Sequence, residues 1–386
     1  MDNIIKTIYT NIDQLDFTIN GKLKVGVISK LEQAKIEAGQ NDNKKAPFEF
    51  GNLRGIVNNN GAKGGWSYIL TNSTETYTIK EKGEWSVKIS IRSVLLASLG
   101  YKHSLADVIG RIKEIITPTD YRVGRVDIAT DIQAGNWIPN PDLIVKRGQL
   151  TQCDIYDDDG VKVGTKDISK IYRKSKIETI TVGKVNNFQM QVYNKTRQVN
   201  QTPKAEYWRN VWAKNTQYDE EFPVWRFEFR FGRDYFKKRN IYDFADFEQK
   251  IEGIMHKVVN GVYILERGVS NIARDGIKSE IWQVVSKNVI NYSSFLKSEQ
   301  YKTMDLKKQL NCIKVRRQDG LEKSIAGFAT GIMALAGEKD FTQEELEEKV
   351  IDELSELFNN PERYKRCLKD FERKKEEFEY LEYGII

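Results

Sequence analysis

Residues 223–232 read PVWRFEFRFG. In an extended chain successive side chains point to opposite sides. Trp225, Phe227, Phe229 and Phe231 therefore share one face, and Val224, Arg226, Glu228 and Arg230 share the other. A face this aromatic must be buried, which fixes the register of the strand and the direction of its charged row. That row either carries chemistry or is an exposed face lined with Arg–Glu pairs.

A matching stretch lies upstream at 121–133, YRVGRVDIATDIQ. Read as a strand, it puts Arg125, Asp127, Ala129 and Asp131 on one face and Val126, Ile128 and Ile132 on the other. The small Ala129 leaves room between the carboxylates for a cation or a phosphate. Strand spacing separates the Asp127 and Asp131 Cα atoms by about 13 Å, so one carboxylate as ligand is easier than two. If this strand and 223–232 are neighbours, Asp127 and Glu228 could share an Mg²⁺ that polarises a phosphate. A third group, Tyr193, Asn194 and Lys195, closes the strand-like run FQMQVYNKT at 188–196. It sets a phenol beside an ammonium able to neutralise developing charge, although a half-buried strand tyrosine is the commoner fate.

Outward from these runs, strands are expected at 8–18, 66–72, 76–82, 85–93 and 177–184. Helices are expected at 24–40, at 104–117 with Ser104 as N-cap, at 203–215 and at 241–266. Residues 40–64 are polar and rich in Gly and Asn, and read as a mobile loop beside short strands. From about 272 the pattern is helical, with a turn-like break at 316–324 and a capping box of Thr342 and Glu345. The implied fold is α+β: two antiparallel-sheet lobes flanked by helices, then an all-helical C-terminal region. The expected division is 1–150, 151–270 with both the Tyr193 and the Arg226 strands, and 271–386.

The 386 residues include 61 Lys and Arg against 55 Asp and Glu, a net charge of +6 that is mild by itself. Its distribution is more telling. Residues 338–386 are rich in Glu, and the body is correspondingly basic, with Arg125, Arg230, Arg233, Lys237, Lys238, Arg316 and Arg317 among its cations. Cations interleaved with aromatic rings suit a groove that binds a nucleic-acid strand. Two histidines, far apart, exclude a His-based metal motif, and three scattered cysteines make no disulfide framework or zinc ribbon. Any metal is then expected on carboxylates, as Mg²⁺ or Mn²⁺. No secretion signal or membrane span is evident, so a cytoplasmic protein with no membrane partner is expected.

The order VGRVDIATDI, then ITVG and FQMQVYNKTRQV, then VWRFEFRFGRDYFKKRNI resembles the replication-initiation-factor family. That family comprises rolling-circle plasmid and phage initiators and related conjugative-element relaxases of non-HUH type. The resemblance runs from the amino terminus to about residue 265. It implies nicking of one origin strand by a tyrosine that becomes a 5′-phosphotyrosine, with a divalent metal on acidic residues. Asp127, Asp131 and Glu228 are then the metal candidates. Arg226, Arg230 and Lys195 then face phosphate; Lys195 and Arg226, with Tyr193 added from the strand reading, are the catalytic candidates. Single-stranded or hairpin origin DNA is the implied partner. The helices after 272 could read duplex, dimerise the chain or recruit a helicase. One departure matters: the family's nucleophile falls at Thr181, in Thr181-Val182-Gly183. Either another tyrosine acts, Tyr193 and Tyr172 being nearest, or the protein binds and opens DNA without cutting it.

Overall fold

A computed structural model describes residues 5–41, 43–146, 153–156, 162–166, 168–173, 176–202, 204–266, 277–296, 304–335, 342–368 and 371. The first strands and helices are β1 (Lys6–Leu23), α1 (Val27–Gln40), β2 (Lys45–Phe50), β3 (Leu53–Asn58), β4 (Tyr68–Thr71), β5 (Glu75–Ile79), β6 (Val87–Ile91), α2 (Ser93–Ile112), β7 (Ile116–Gln133) and β8 (Ile144–Lys146). Then follow β9 (Cys153–Tyr156), β10 (Lys162–Lys166), β11 (Ile168–Arg173), β12 (Lys176–Gly183), β13 (Phe188–Asn194), α3 (Lys195–Asn200), α4 (Ala205–Trp212) and β14 (Trp225–Phe231). The remainder is α5 (Arg233–Lys237), α6 (Phe244–Gly261), β15 (Val262–Ile264), α7 (Glu280–Phe295), α8 (Leu306–Leu335) and α9 (Gln343–Asn359).

The expected α+β class with a helical C-terminal region is what folds. Strands from both expected blocks join one sheet, in the order β11-β12-β13-β14-β7-β1-β6-β5-β4-β3-β2, with every neighbouring pair antiparallel, while β9 pairs with β10 and β8 with β15 apart from it. The junction is β7 against β14, the two strands whose alternation was plainest. Phe227, Phe229 and Phe231 are fully buried. Burial of each such ring stabilises the fold by roughly 1.5–3 kcal/mol. Trp282 of α7 packs on Phe227 and Phe229, Phe236 of α5 on Phe231, and Phe244 of α6 on Phe17. Helices α5, α6 and α7 thus cover the apolar face, while α4 packs Trp208 and Trp212 against part of the opposite face that carries the charged rows.

Several local expectations change. Residues 40–64 include the β2–β3 hairpin. The second helix starts at Ser93 and breaks at Gly100, whose φ of 75° a residue with a side chain rarely adopts. Ser104 does not cap it; it is buried, and its hydroxyl donates to the Leu95 carbonyl. The break expected at 316–324 is absent, because α8 runs unbroken through it. The Thr342–Glu345 capping box forms as read. Among the described residues no helix is long and apolar enough to cross a membrane.

Gly183 ends β12 at a φ of +88°, and a Cβ there would lie 2.2 Å from the Phe188 carbonyl oxygen. Gly183→Ala combines left-handed strain with a backbone clash. We expect it to destabilise the protein by about 2 kcal/mol or more, measured as a lowered midpoint in urea unfolding. A shift under 0.5 kcal/mol, of the size of an ordinary surface change, would show that the β12–β13 turn can relax.

Candidate nucleic-acid cleavage site

Register assembles the site. Arg226 lies opposite Asp131, Glu228 opposite Ala129 and Arg230 opposite Asp127 on β7, while Tyr193 and Gln191 of β13 lie opposite Arg226 and Glu228. Paired residues share a face, so the expected catalytic and acidic groups stand together on one side of the sheet.

Arg226 is fully buried. Its Nε and Nη2 donate to the two Asp131 oxygens at 2.6 and 2.8 Å, and its Nη1 donates to Asp13 at 2.5 Å. The guanidinium also lies 4.4 Å from the Trp208 ring centroid. Burial alone would lower its pKa; Asp13 and Asp131 outweigh that and raise it well above its ordinary value. Burial likewise works to raise Asp13, but the Arg226 and Lys195 charges prevail and hold that carboxyl below its usual range. Asp131 accepts a third bond, from Trp212 Nε1 at 2.8 Å. Expected to face phosphate, Arg226 instead closes a buried ion cluster. Asp131, expected as a metal ligand, has its oxygens committed to that cluster.

Tyr193 is 6% exposed, and its hydroxyl donates to Glu228 Oε2 at 2.8 Å. Burial, with the Glu228 charge beside it, raises the phenol pKa well above its ordinary value. The other Glu228 oxygen accepts from Arg230 Nε at 2.7 Å. Arg230 Nε also lies 3.7 Å from Asp127, which is held in bidentate fashion by Arg125 at 2.8 and 2.5 Å. Burial, reinforced by Glu228, pushes Asp127 well above the ordinary carboxylate range in spite of Arg125. Lys195 is 6% exposed, donates to Gln198, and sits over the Trp208 and Tyr193 rings at 4.8 and 5.6 Å. Burial and then the Arg226 charge bring its pKa down to about 8.

A cavity of about 270 Å³ opens beside Tyr193, lined by amides of Gln191, Asn194, Gln198 and Gln201 and by Arg197. Thr181, in the place of the family's nucleophile, accepts from Gln191 Nε2 at 3.1 Å on the same face. Tyr172 lies in β11, and its side chain is outside the described residues.

The three-carboxylate ligand set expected for Mg²⁺ or Mn²⁺ does not converge. Among the described residues no three His, Cys, Asp or Glu side chains could hold an ion together. Asp127 and Glu228 do come from adjacent strands, the condition for their sharing an ion, but the Arg230 guanidinium bridges them. In this arrangement the residues do not fit a resident divalent ion.

Of the other expected DNA contacts, Arg233 is half-buried, and Lys237 and Lys238 are exposed at the end of α5. Arg316 and Arg317 lie within α8, and their side chains are outside the described residues. Asp13, Trp208 and Trp212 were missed. Asp13 sits at a register shift between Ile12 and Gln14, a bulge that aims its carboxylate at Arg226. The tryptophans of α4 show only helical spacing in sequence, which reads as core.

Fold and site together define a class: an antiparallel α+β protein whose sheet carries a buried charged face with a phenol on a carboxylate. No family model matches the chain. Over 116 residues it is 32% identical to the uncharacterized protein ORF430 of Pseudomonas phage Pf1, a stretch that is 28% of this chain and 26% of that protein. The chain thus matches about a quarter of that relative's length. Among solved structures, the rolling circle replication initiator protein from Geobacillus stearothermophilus aligns over 75% of this chain and 97% of its own, with a TM-score of 0.36 and 13% identity.

Proposed function

We propose that the protein is a replication initiator or relaxase of a mobile element, which binds single-stranded or hairpin origin DNA and nicks it by transesterification onto Tyr193. One observation carries this: the Tyr193 phenol donates to Glu228 at 2.8 Å beside an open cavity. A nucleophile within hydrogen-bond reach of its base is the arrangement covalent catalysis needs. The family resemblance of the three strand motifs supports the reading, and the local likeness to a phage protein accords with a mobile-element source.

In this reaction Tyr193 Oη bonds to phosphorus while its proton passes to Glu228. The P–O3′ bond breaks, and the 3′-oxygen leaves as a hydroxyl after taking a proton from Lys195. The 5′-phosphate stays on the tyrosine, and the reverse steps religate the strand. A phenol whose pKa is raised needs such a base, since little phenolate exists beforehand. Lys195 is an acid of matched strength, protonated below about pH 8 and neutral above it. Adduct formation is therefore expected to fall as pH rises through about 8, and Lys195→Met should remove that limb of the pH profile. A wild-type rate that stays level through that range would exclude Lys195 as the acid.

The burial of Tyr193 and the presence of Thr181 favour a second reading, an origin-binding or remodelling protein that does not cleave. Incubation with labelled single-stranded DNA from the element's own origin, followed by a denaturing gel, separates the two. A nuclease-sensitive shifted band supports cleavage. Tight binding without an adduct supports remodelling. Failure to bind single-stranded or hairpin DNA at moderate salt overturns both. Parallel reactions in EDTA, Mg²⁺ and Mn²⁺ measure whether Asp127 and Glu228 exchange Arg230 for an ion.

A further inference from the structure

The charged sheet face continues past Arg125, away from Tyr193, into a larger cleft of about 650 Å³. Lys88 and Arg125 line it together with three carboxylates, Asp16, which pairs with Lys88, Glu84 and Asp234, so its cations outnumber its acids. Trp66, Lys80, Trp85 and Arg122 line one side and Arg233 the other. The second wall is closely packed: the turn at Val185 and Asn186 lies so near Gly232 that a Cβ there would sit 2.4 Å from their carbonyl oxygens.

Cations and rings alternate in this cleft. The Arg122 guanidinium lies 3.7 Å from the Trp85 ring centroid, and the Lys80 ammonium 4.6 Å from that of Trp66. Both rings are half-buried, so each keeps surface for a ligand. Among the described residues, Lys80, Arg122 and Arg233 form no ion pair. Arg233 donates to the Val123 carbonyl and lies over Tyr242. Its pKa is lowered by burial and by the Arg122 charge nearby. Trp85 has a φ of +53°, held in part by its amide donating to Asn20. A bulky residue in that region is strained, and such strain collects at binding sites.

Unpaired cations set between aromatic faces match a polyanion that carries planar rings. Only an unpaired strand offers its base faces for stacking; a duplex hides them. Arg125 and Asp131 are six residue steps apart along β7, so the cleft lies about 20 Å from the Tyr193 end of the site, a span of about six stacked nucleotides. Arg125 belongs to both places, since it lines the cleft and holds Asp127.

We infer that this cleft is a track for single-stranded DNA flanking the scissile phosphate, with bases stacked on Trp66 and Trp85 and phosphates held by Lys80, Arg122 and Arg233. The choice of DNA as ligand rests on the function proposed above.

The test is binding of the full chain to a fluorescent single-stranded oligonucleotide over a range of salt, with Tyr193→Phe as the cleavage-dead reference. Trp66→Ala and Trp85→Ala are each expected to weaken binding by about tenfold. Trp66→Phe and Trp85→Phe keep a ring; they should stay within about twofold of wild type and lose the tryptophan quenching that accompanies binding. Arg122→Ala should lower the salt slope by about one. If wild type binds and every cleft variant binds as tightly, the track is wrong and the proposed function stands. If wild type does not bind single-stranded DNA, both fall together. Tighter binding of RNA than of DNA of the same sequence would overturn the ligand assignment.

Discussion

Replacing Arg226 by alanine is expected to destabilise the protein by about 3–5 kcal/mol, the cost of breaking a buried ion pair on one side. The guanidinium is fully buried and is the shared partner of Asp131 and Asp13. Its removal leaves Asp131 with Trp212 as its one remaining donor in the cluster, and leaves Asp13 beside Lys195 with a charge that burial penalises. Arg226→Lys should rescue little, because a single ammonium cannot reproduce the planar fork that serves two carboxylates. Arg226→Met combined with Asp13→Asn and Asp131→Asn should recover part of the loss, since removing all the charges also removes their desolvation cost. Urea unfolding of the single and triple variants measures this. A single-variant loss below 1 kcal/mol would mean that water reaches the cluster and that it does not tie β1, β7 and β14 together.

Tyr193→Phe is expected to abolish the protein–DNA adduct, a fall of more than about a thousandfold for a lost nucleophile. Binding of single-stranded DNA should stay close to wild type. The fold should lose about 1–3 kcal/mol, because Glu228 Oε2 is left without its phenolic donor in a buried place. Glu228→Gln keeps an acceptor for the phenol and removes the base, so the adduct rate should fall by about 10²–10⁴. The two variants separate the roles, one deleting the attacking atom and the other the group that takes its proton. If Tyr193→Phe still forms the adduct, peptide mapping will name another nucleophile, with Tyr172 the next candidate.

Much of the fold was legible because alternation is a local property. The pattern at 223–232 and 121–133 needs only the two-residue repeat of an extended chain. It was enough to separate an aromatic face from a charged one, but not to say that Asp127 and Glu228 come from neighbouring strands. The Thr342–Glu345 capping box was legible for the same reason, since its partners are three residues apart. Helix breaks were less so. Gly320 invites a break in α8, yet a helical glycine costs only about 1 kcal/mol against alanine, which packing elsewhere can absorb.

The chemistry of the charged face was not legible, because it depends on groups far apart in the chain. Composition and alternation determined that Arg226 and Asp131 are strand residues on polar faces. Only the pairing of β14 with β7 set them opposite each other, and only a bulge in β1 added Asp13. Trp212 reaches Asp131 from a helix 81 positions away. The same pairing changed two roles, turning an expected phosphate ligand and an expected metal ligand into a buried ion cluster while joining Tyr193 to Glu228. The sequence by itself determined which side chains share a face. The tertiary structure decided which of them are neutralised by one another and which remain open to a ligand, because burial and charge pairing depend on distances that no local repeat encodes.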